Sequence, residues 1–79
     1  MKARVLIADD HRLFVEGLKK LLEPSCCVVG TALDGQSLIS EAEKQRPEVI
    51  LTDINMPRLN GLEACERLLK RVPETRIIF

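Results

Sequence analysis

The stretch LTDINMP, residues 51–57, ends a strand-like apolar run in a carboxylate, Asp53, and Pro57 follows four positions later. A second stretch, VLIADDH at residues 5–11, makes the same change and ends in Asp9 and Asp10. Burying an unpaired charge costs free energy, so a buried strand that ends in a carboxylate needs a partner for that charge. The fold must therefore explain what these two strand ends have in common.

Strand-like and helix-like segments alternate along the whole chain. Short, β-branched apolar runs predict strands at residues 4–8, 27–32, 48–53 and 75–79. Apolar residues at helical spacing predict helices at residues 11–22, from the turn at 33–37 to about Gln45, and at 61–72. The apolar faces predicted for these helices are Phe14, Leu18, Leu21 and Leu22, then Leu38, Ile39 and Ala42, then Leu62, Cys65, Leu69 and Val72. The order β-α-β-α-β-α-β predicts an α/β domain with a parallel sheet and helices on both faces.

This topology predicts that the three aspartates meet. Parallel strands end at the same edge of a sheet, and in a doubly wound sheet of order 2-1-3-4-5 the first and third strands are neighbours at the ligand-binding switch point. Asp9, Asp10 and Asp53 are then expected in one crevice, where their repulsion favours a bound cation. Oxygen ligands in an open site favour Mg²⁺, and a carboxylate beside Mg²⁺ can attack a phosphoryl group. The residues therefore predict a phosphoryl-transfer site.

The composition narrows the class of protein. With 79 residues, 46% of them hydrophobic, the chain suits one globular domain. Its 12 basic and 12 acidic residues cancel, so it lacks the positive charge of a typical nucleic-acid or membrane surface. No apolar run approaches the roughly 20 residues of a membrane span, and no signal-peptide pattern is present, so we predict a cytoplasmic protein. The final residues, IIF, are apolar with no turn signal, so we expect a longer natural domain.

From the strand-end DD through LTDINMPRLNG to the fourth strand, the sequence resembles the receiver domain of two-component response regulators. The resemblance implies a flavodoxin-like (CheY-like) fold in which residues 1–79 form a partial receiver domain, truncated after its fourth strand. It implies that Asp53 is the phosphoacceptor and that Mg²⁺ is bound by Asp10, Asp53 and the backbone carbonyl of Asn55, with Asp9 acting through water. The phosphoryl group would come from a sensor histidine kinase or a small phosphodonor.

Two longer stretches refine the resemblance. DDHRLFVEGL at residues 9–18 and NGLEACERLLK at residues 60–70 are similar to the NarL/LuxR-type subgroup, whose receivers precede a helix-turn-helix domain. Contact with DNA is therefore expected only through an output domain outside these 79 residues. The family pattern also has a Ser or Thr at the end of strand four and a Lys at the end of strand five, and neither position falls within this sequence. An uncovered fourth strand would be an open edge, so we expect a homodimer or larger assembly through it.

Simpler interpretations compete at each of these residues. Asp9 or Asp10 can cap the helix at 11–22, while Asp53 and Asn55 can be turn residues. His11 is expected to be a solvated residue at the helix start rather than a catalytic base.

Two other functions compete with the receiver. One is a Mg²⁺-dependent phosphohydrolase with an aspartate nucleophile. Such enzymes often place a second acid two residues after the nucleophile, where this chain has Asn55. We therefore predict that the chain is no enzyme, with at most slow autodephosphorylation. The other is an assembly module whose acidic pocket takes no phosphoryl group.

Overall fold

The computed structural model of the chain describes residues 2–53 and 61–79. Strands and helices alternate in the predicted order. The elements are β1 (Ala3–Ala8), α1 (Arg12–Leu22), β2 (Cys26–Ala32), α2 (Gly35–Gln45), β3 (Val49–Thr52), α3 (Gly61–Arg71) and β4 (Arg76–Ile78). Their bounds differ from the predicted ones by no more than about two residues, a normal uncertainty at element ends.

The four strands form one parallel sheet in the order β2-β1-β3-β4. This confirms the doubly wound arrangement, with β1 and β3 adjacent. At the carboxyl end of β1, Ala8 pairs with Ala32 of β2 on one side and with Thr52 of β3 on the other. Three strands therefore finish level with one another, and the residues that follow β1 and β3 leave the sheet side by side.

Alternating residues of the central strands enter two separate cores. Leu6 and Ile50 face α2 and α3, whereas Val5 and Ile7 face α1. The first core adds Leu38, Ile39 and Ala42 from α2, and Ala64, Leu68 and Val72 from the region of α3. Because side chains alternate between the two faces of a sheet, a strand covered on both faces reads as a continuous apolar run.

The predicted apolar face of α1 is partly wrong. Val15 is buried, and Leu18 and Leu22 pack against the second core, but the side chains of Phe14 and Leu21 are 57% and 76% exposed. The buried residues follow the i, i+3, i+7 spacing of one narrow stripe. Phe14 and Leu21 lie about a quarter-turn away from it, on a flank of the helix that the sheet does not reach.

The predicted face of α3 also needs a correction. Cys65 and Val72 are buried as expected, whereas Leu69 is 58% exposed and its neighbour Leu68 is fully buried. The side chain of Leu62 lies outside the described residues. Ala64, Leu68 and Val72 recur every four residues, so the stripe that packs against α2 is centred one residue earlier than predicted.

Among residues 2–53 and 61–79, no helix combines the length and apolar character that a membrane span requires.

Candidate functional site

The hydrogen-bond ladder of the sheet continues one residue beyond the ends of β1 and β3. The backbone N–H of Asp53 donates to the carbonyl oxygen of Ala8 at 2.9 Å, and that of Asp9 donates to the carbonyl oxygen of Ala32 at 2.9 Å. The hydroxyl of the buried Thr52 donates to the carbonyl oxygen of Asp53 at 3.0 Å. The backbone at Asp9 and at Asp53 is therefore fixed by hydrogen bonds.

Four side chains converge at this edge of the sheet. One ligand atom each from Asp9, Asp10, His11 and Asp53 lies within 4.8 Å of all the others. The structure thus brings together the three aspartates that the sequence placed in one crevice. Asn55, the fourth predicted site residue, lies outside the described residues.

The aspartates differ in their access to solvent. The side chain of Asp9 is 13% exposed and that of Asp10 is 37% exposed. Partial burial lowers the effective dielectric around the carboxylates and strengthens the repulsion between them. The cluster therefore favours positive charge.

His11 supplies part of that positive charge when its ring is protonated. The Oδ1 atom of Asp9 accepts a hydrogen bond from the His11 backbone N–H at 2.9 Å and lies 2.6 Å from Nδ1 of the ring. Nδ1 is also 3.1 Å from Oδ1 of Asp10. The hydrogen bond to Asp9 raises the pKa of His11, and the negative charges of Asp10, Asp9 and Asp53 raise it further.

The exposed position of His11 agrees with the sequence prediction, and its contacts with the aspartates were not predicted. Its side chain is 70% exposed at the start of α1, as expected of a solvated residue, yet its ring belongs to the acidic cluster. The signal was its position directly after the aspartate pair, where an extended residue ahead of a helix can turn its ring back toward them.

The alternative that Asp9 or Asp10 caps α1 is wrong. The N-cap residue is His11, and its own side chain makes no capping hydrogen bond. Asp9 reaches only the N–H of His11 itself, which precedes the N–H groups that a cap must satisfy. In contrast, α2 has a conventional cap, because the side chain of Asp34 accepts from the N–H of Ser37 at 2.8 Å.

The donor set fits a divalent cation. Three carboxylates offer the hard oxygen atoms that Mg²⁺ prefers, and the open edge of the sheet leaves room for water. Within the described cluster, the imidazole nitrogen of His11 is the one donor that is not typical of Mg²⁺.

An apolar groove of about 710 Å³ opens beside the cluster. Asp9, His11, Thr52 and Asp53 form its polar end. The remainder is lined by Ile7, Ala8, Phe14, Leu18, Leu51, Ile78 and Phe79. The groove lies on the α1 side of the sheet and reaches β4, so the acidic site and the edge strand share one surface.

Residues 5–79 match the family described as the response regulator receiver domain. The chain belongs to this family. Its acidic cluster and its β2-β1-β3-β4 sheet are therefore those of a receiver domain of two-component response regulators.

Curated relatives include transcriptional regulators and an enzyme. The chain is 44% identical over 79 residues to the transcriptional regulatory protein DegU of Brevibacillus brevis, covering 98% of this chain and 34% of DegU. It is 42% identical over 78 residues to a protein-glutamate methylesterase/protein-glutamine glutaminase of Thermotoga maritima, covering 96% of this chain and 22% of that protein. The chain thus spans about a third or less of these relatives.

Solved structures agree with the fold. The signal receiver domain of NarL from Mycobacterium tuberculosis matches with a TM-score of 0.90 and 35% identity, covering 96% of this chain and 63% of that one. The response regulator domain of Thermotoga maritima CheB matches with a TM-score of 0.92 and 38% identity, covering 98% and 58%. The CheY-like fold is confirmed, and the likeness to DegU and NarL supports the NarL/LuxR-type subgroup.

Proposed function

We propose that this receiver accepts a phosphoryl group on Asp53 and uses Mg²⁺ to do so. The observation that carries the proposal is the meeting of Asp53 with Asp9 and Asp10, whose ligand atoms lie within 4.8 Å of one another. An acceptor carboxylate beside two further acids can react only where a cation offsets their charge.

In the proposed reaction, a carboxylate oxygen of Asp53 attacks the phosphorus of the donor. With acetyl phosphate, the bond from phosphorus to the acetate oxygen breaks and acetate leaves with the electron pair, so no proton has to be removed. With a phosphohistidine of a sensor histidine kinase, the phosphorus–nitrogen bond would break, and the imidazole would leave with the electron pair and take a proton from solvent. The bond between Asp53 N–H and Ala8 keeps the acceptor at the strand end.

The residues that would hold Mg²⁺ are Asp10, Asp53 and the backbone carbonyl of Asn55, with Asp9 acting through a water molecule. When bound, Mg²⁺ neutralises charge on the phosphoryl oxygens. Because an ionised carboxylate needs no base, His11 has no required part in this step.

The proposed output is control of transcription. DegU is described as a transcriptional regulatory protein, and the chain spans only part of such relatives. In this proposal the receiver is cytoplasmic, acts as the substrate of a kinase with at most slow autodephosphorylation, and reaches DNA only through an output domain.

The test is formation of an adduct with beryllofluoride or acetyl phosphate in the presence of Mg²⁺, followed by intact mass and NMR. Wild type should take up one group and Asp53→Asn should take up none. Asp34→Asn is the matched control, because asparagine also serves as a helix N-cap and Asp34 lies outside the cluster. Equal labelling of wild type and Asp53→Asn would refute the acceptor assignment, and multiple turnovers would indicate a phosphohydrolase.

We further propose that two copies associate through β4. Among the described residues β4 pairs with β3 alone, and both Ile78, its last residue, and the following Phe79 are more than half exposed. An open strand edge next to an apolar groove can pair with the same edge of a second copy. Sedimentation should give a mass that rises with concentration above the 8.9 kDa of one chain. Ile78→Lys should abolish this rise, and Leu13→Lys, on the exposed side of α1, should not.

A further inference from the structure

We propose that His11 is a direct metal ligand that makes this site prefer borderline transition-metal cations, such as Co²⁺ and Zn²⁺, over Mg²⁺. The inference rests on the proposed function, because it takes the acidic cluster to be the cation site. It goes further by naming a nitrogen ligand and the class of metal that this ligand selects.

The position of the ring is the first argument. Nδ1 of His11 lies 3.1 Å from Oδ1 of Asp10. Ligands bound about 2.1 Å from one metal ion are separated by about 3.0 Å in octahedral and about 3.4 Å in tetrahedral coordination. One ring nitrogen of His11 and one oxygen atom of each aspartate lie within 4.8 Å of one another, so all four can contact one ion after small side-chain rotations.

The backbone at the start of α1 supports the same assignment. His11 is the N-cap residue, with extended φ and ψ angles of −95° and 93°, and its side chain does not cap the helix. The bond from its N–H to Asp9 instead turns the residue back toward the cluster. Because the ring is largely exposed, it can exchange its contact with Asp9 for a metal without unpacking the core.

The chemistry of the ligands decides the selectivity. Mg²⁺ prefers oxygen and keeps several waters, so an imidazole adds little to its affinity. Co²⁺ and Zn²⁺ bind imidazole nitrogen well and lie above Mn²⁺ and Fe²⁺ in the usual order of affinities. One nitrogen among three carboxylates should therefore strengthen binding of these ions selectively.

The proposal is tested by calorimetric titration of the 79-residue chain with Mg²⁺, Co²⁺ and Zn²⁺, each alone. Binding of a metal requires neutral imidazole, and the acids raise the pKa of His11, so we choose a pH of about 8. His11→Asn should lower the affinity for Co²⁺ and Zn²⁺ at least about tenfold and leave the affinity for Mg²⁺ nearly unchanged. The Co²⁺ absorption spectrum should change in this variant, and the His11 ring signals should show paramagnetic shifts in wild type.

Two further variants show whether the metals bind at the cluster. Cys27 is exposed and can bind soft metals by itself, so Cys27→Ser should behave as wild type if the site is the cluster. Asp10→Asn should lower the affinity for all three metals, because it removes a carboxylate ligand that all three would share.

The outcomes separate the two proposals. If His11→Asn lowers the affinity for Mg²⁺ and Co²⁺ equally, or changes neither affinity, His11 is not the selective ligand and the proposal is overturned. If the variant binds Mg²⁺ more tightly and Co²⁺ as before, His11 is a counter-ion that competes with the metal, and the proposal is again overturned. In each of these cases an Asp53-dependent adduct would leave the proposed function intact, whereas loss of that adduct from wild type would reject the function itself.

Discussion

The backbone N–H of Asp53 is bonded to the carbonyl oxygen of Ala8 at 2.9 Å, one step beyond the Ala8–Thr52 pair. This bond ties the candidate acceptor to the strand that delivers Asp9 and Asp10, which lies more than forty residues earlier in the chain. The site therefore depends on the register of β1 against β3. A shift of one residue would direct the strand side chains to the opposite face and separate the acids.

Mg²⁺ should stabilise the folded chain through this site. A ligand that binds only the folded state at ten times its Kd adds about 1.4 kcal/mol to the free energy of unfolding. Thermal unfolding followed by circular dichroism, at fixed protein concentration, should show this gain for wild type. It should largely vanish in Asp10→Asn and persist in Asp34→Asn. A gain of equal size in both variants would mean that the ion binds elsewhere.

The stability of the metal-free protein should depend on the protonation of His11. The acids raise its folded-state pKa above the ordinary value of 6.5. The stabilising contribution of the imidazolium is therefore complete below that value and is lost as pH rises through the higher folded pKa. In EDTA, the free energy of unfolding should fall over this window in wild type and fall less in His11→Gln.

The same shift can be measured directly. The chain has one histidine, so its ring signals in an NMR titration belong to His11. Asp9→Asn should lower the pKa of His11, because the hydrogen bond to Asp9 is the largest cause of the rise. An unchanged titration midpoint of His11 in this variant would contradict the hydrogen bond between His11 and Asp9.

Adjacent leucines of α3 provide a test of its packing. Leu68 is fully buried and Leu69 is 58% exposed. Leu68→Ala should lower the free energy of unfolding by about 2–5 kcal/mol, since it leaves a cavity in the core. Leu69→Ala should cost less than about 1 kcal/mol. Denaturant titration measures both, and comparable losses would show that the helix is rotated from the orientation described.

Alanine substitutions at two glycines should change the free energy of unfolding in opposite directions. An added Cβ at Gly17, within α1, meets no atom within 4 Å, so Gly17→Ala should raise the free energy of unfolding by about 0.5–1 kcal/mol. At Gly30 the Cβ would come within 3.2 Å of Cδ1 of the buried Leu6. Gly30→Ala should therefore lower the free energy of unfolding by about 1–3 kcal/mol. Denaturant titration of the two variants measures both changes.

The sequence by itself determined the order of the elements, the parallel sheet and the adjacency of β1 and β3. Local periodicity identifies each strand and helix, and right-handed crossovers leave few ways to join them. The aspartates that end two apolar runs were visible for the same reason. An acid directly after a buried strand can be read from a few neighbouring residues, and the topology then places it.

The tertiary structure alone decided which flank of each helix is buried and what completes the site. Apolar residues on α1 and α3 spread over more than one stripe, so only contact with the sheet and with α2 selects Val15 over Phe14 and Leu68 over Leu69. His11 contacts Asp9 and Asp10, its neighbours in the chain, whereas Asp53 reaches the same cluster because β3 pairs with β1. That meeting is set by the packing of distant segments, which no local pattern encodes.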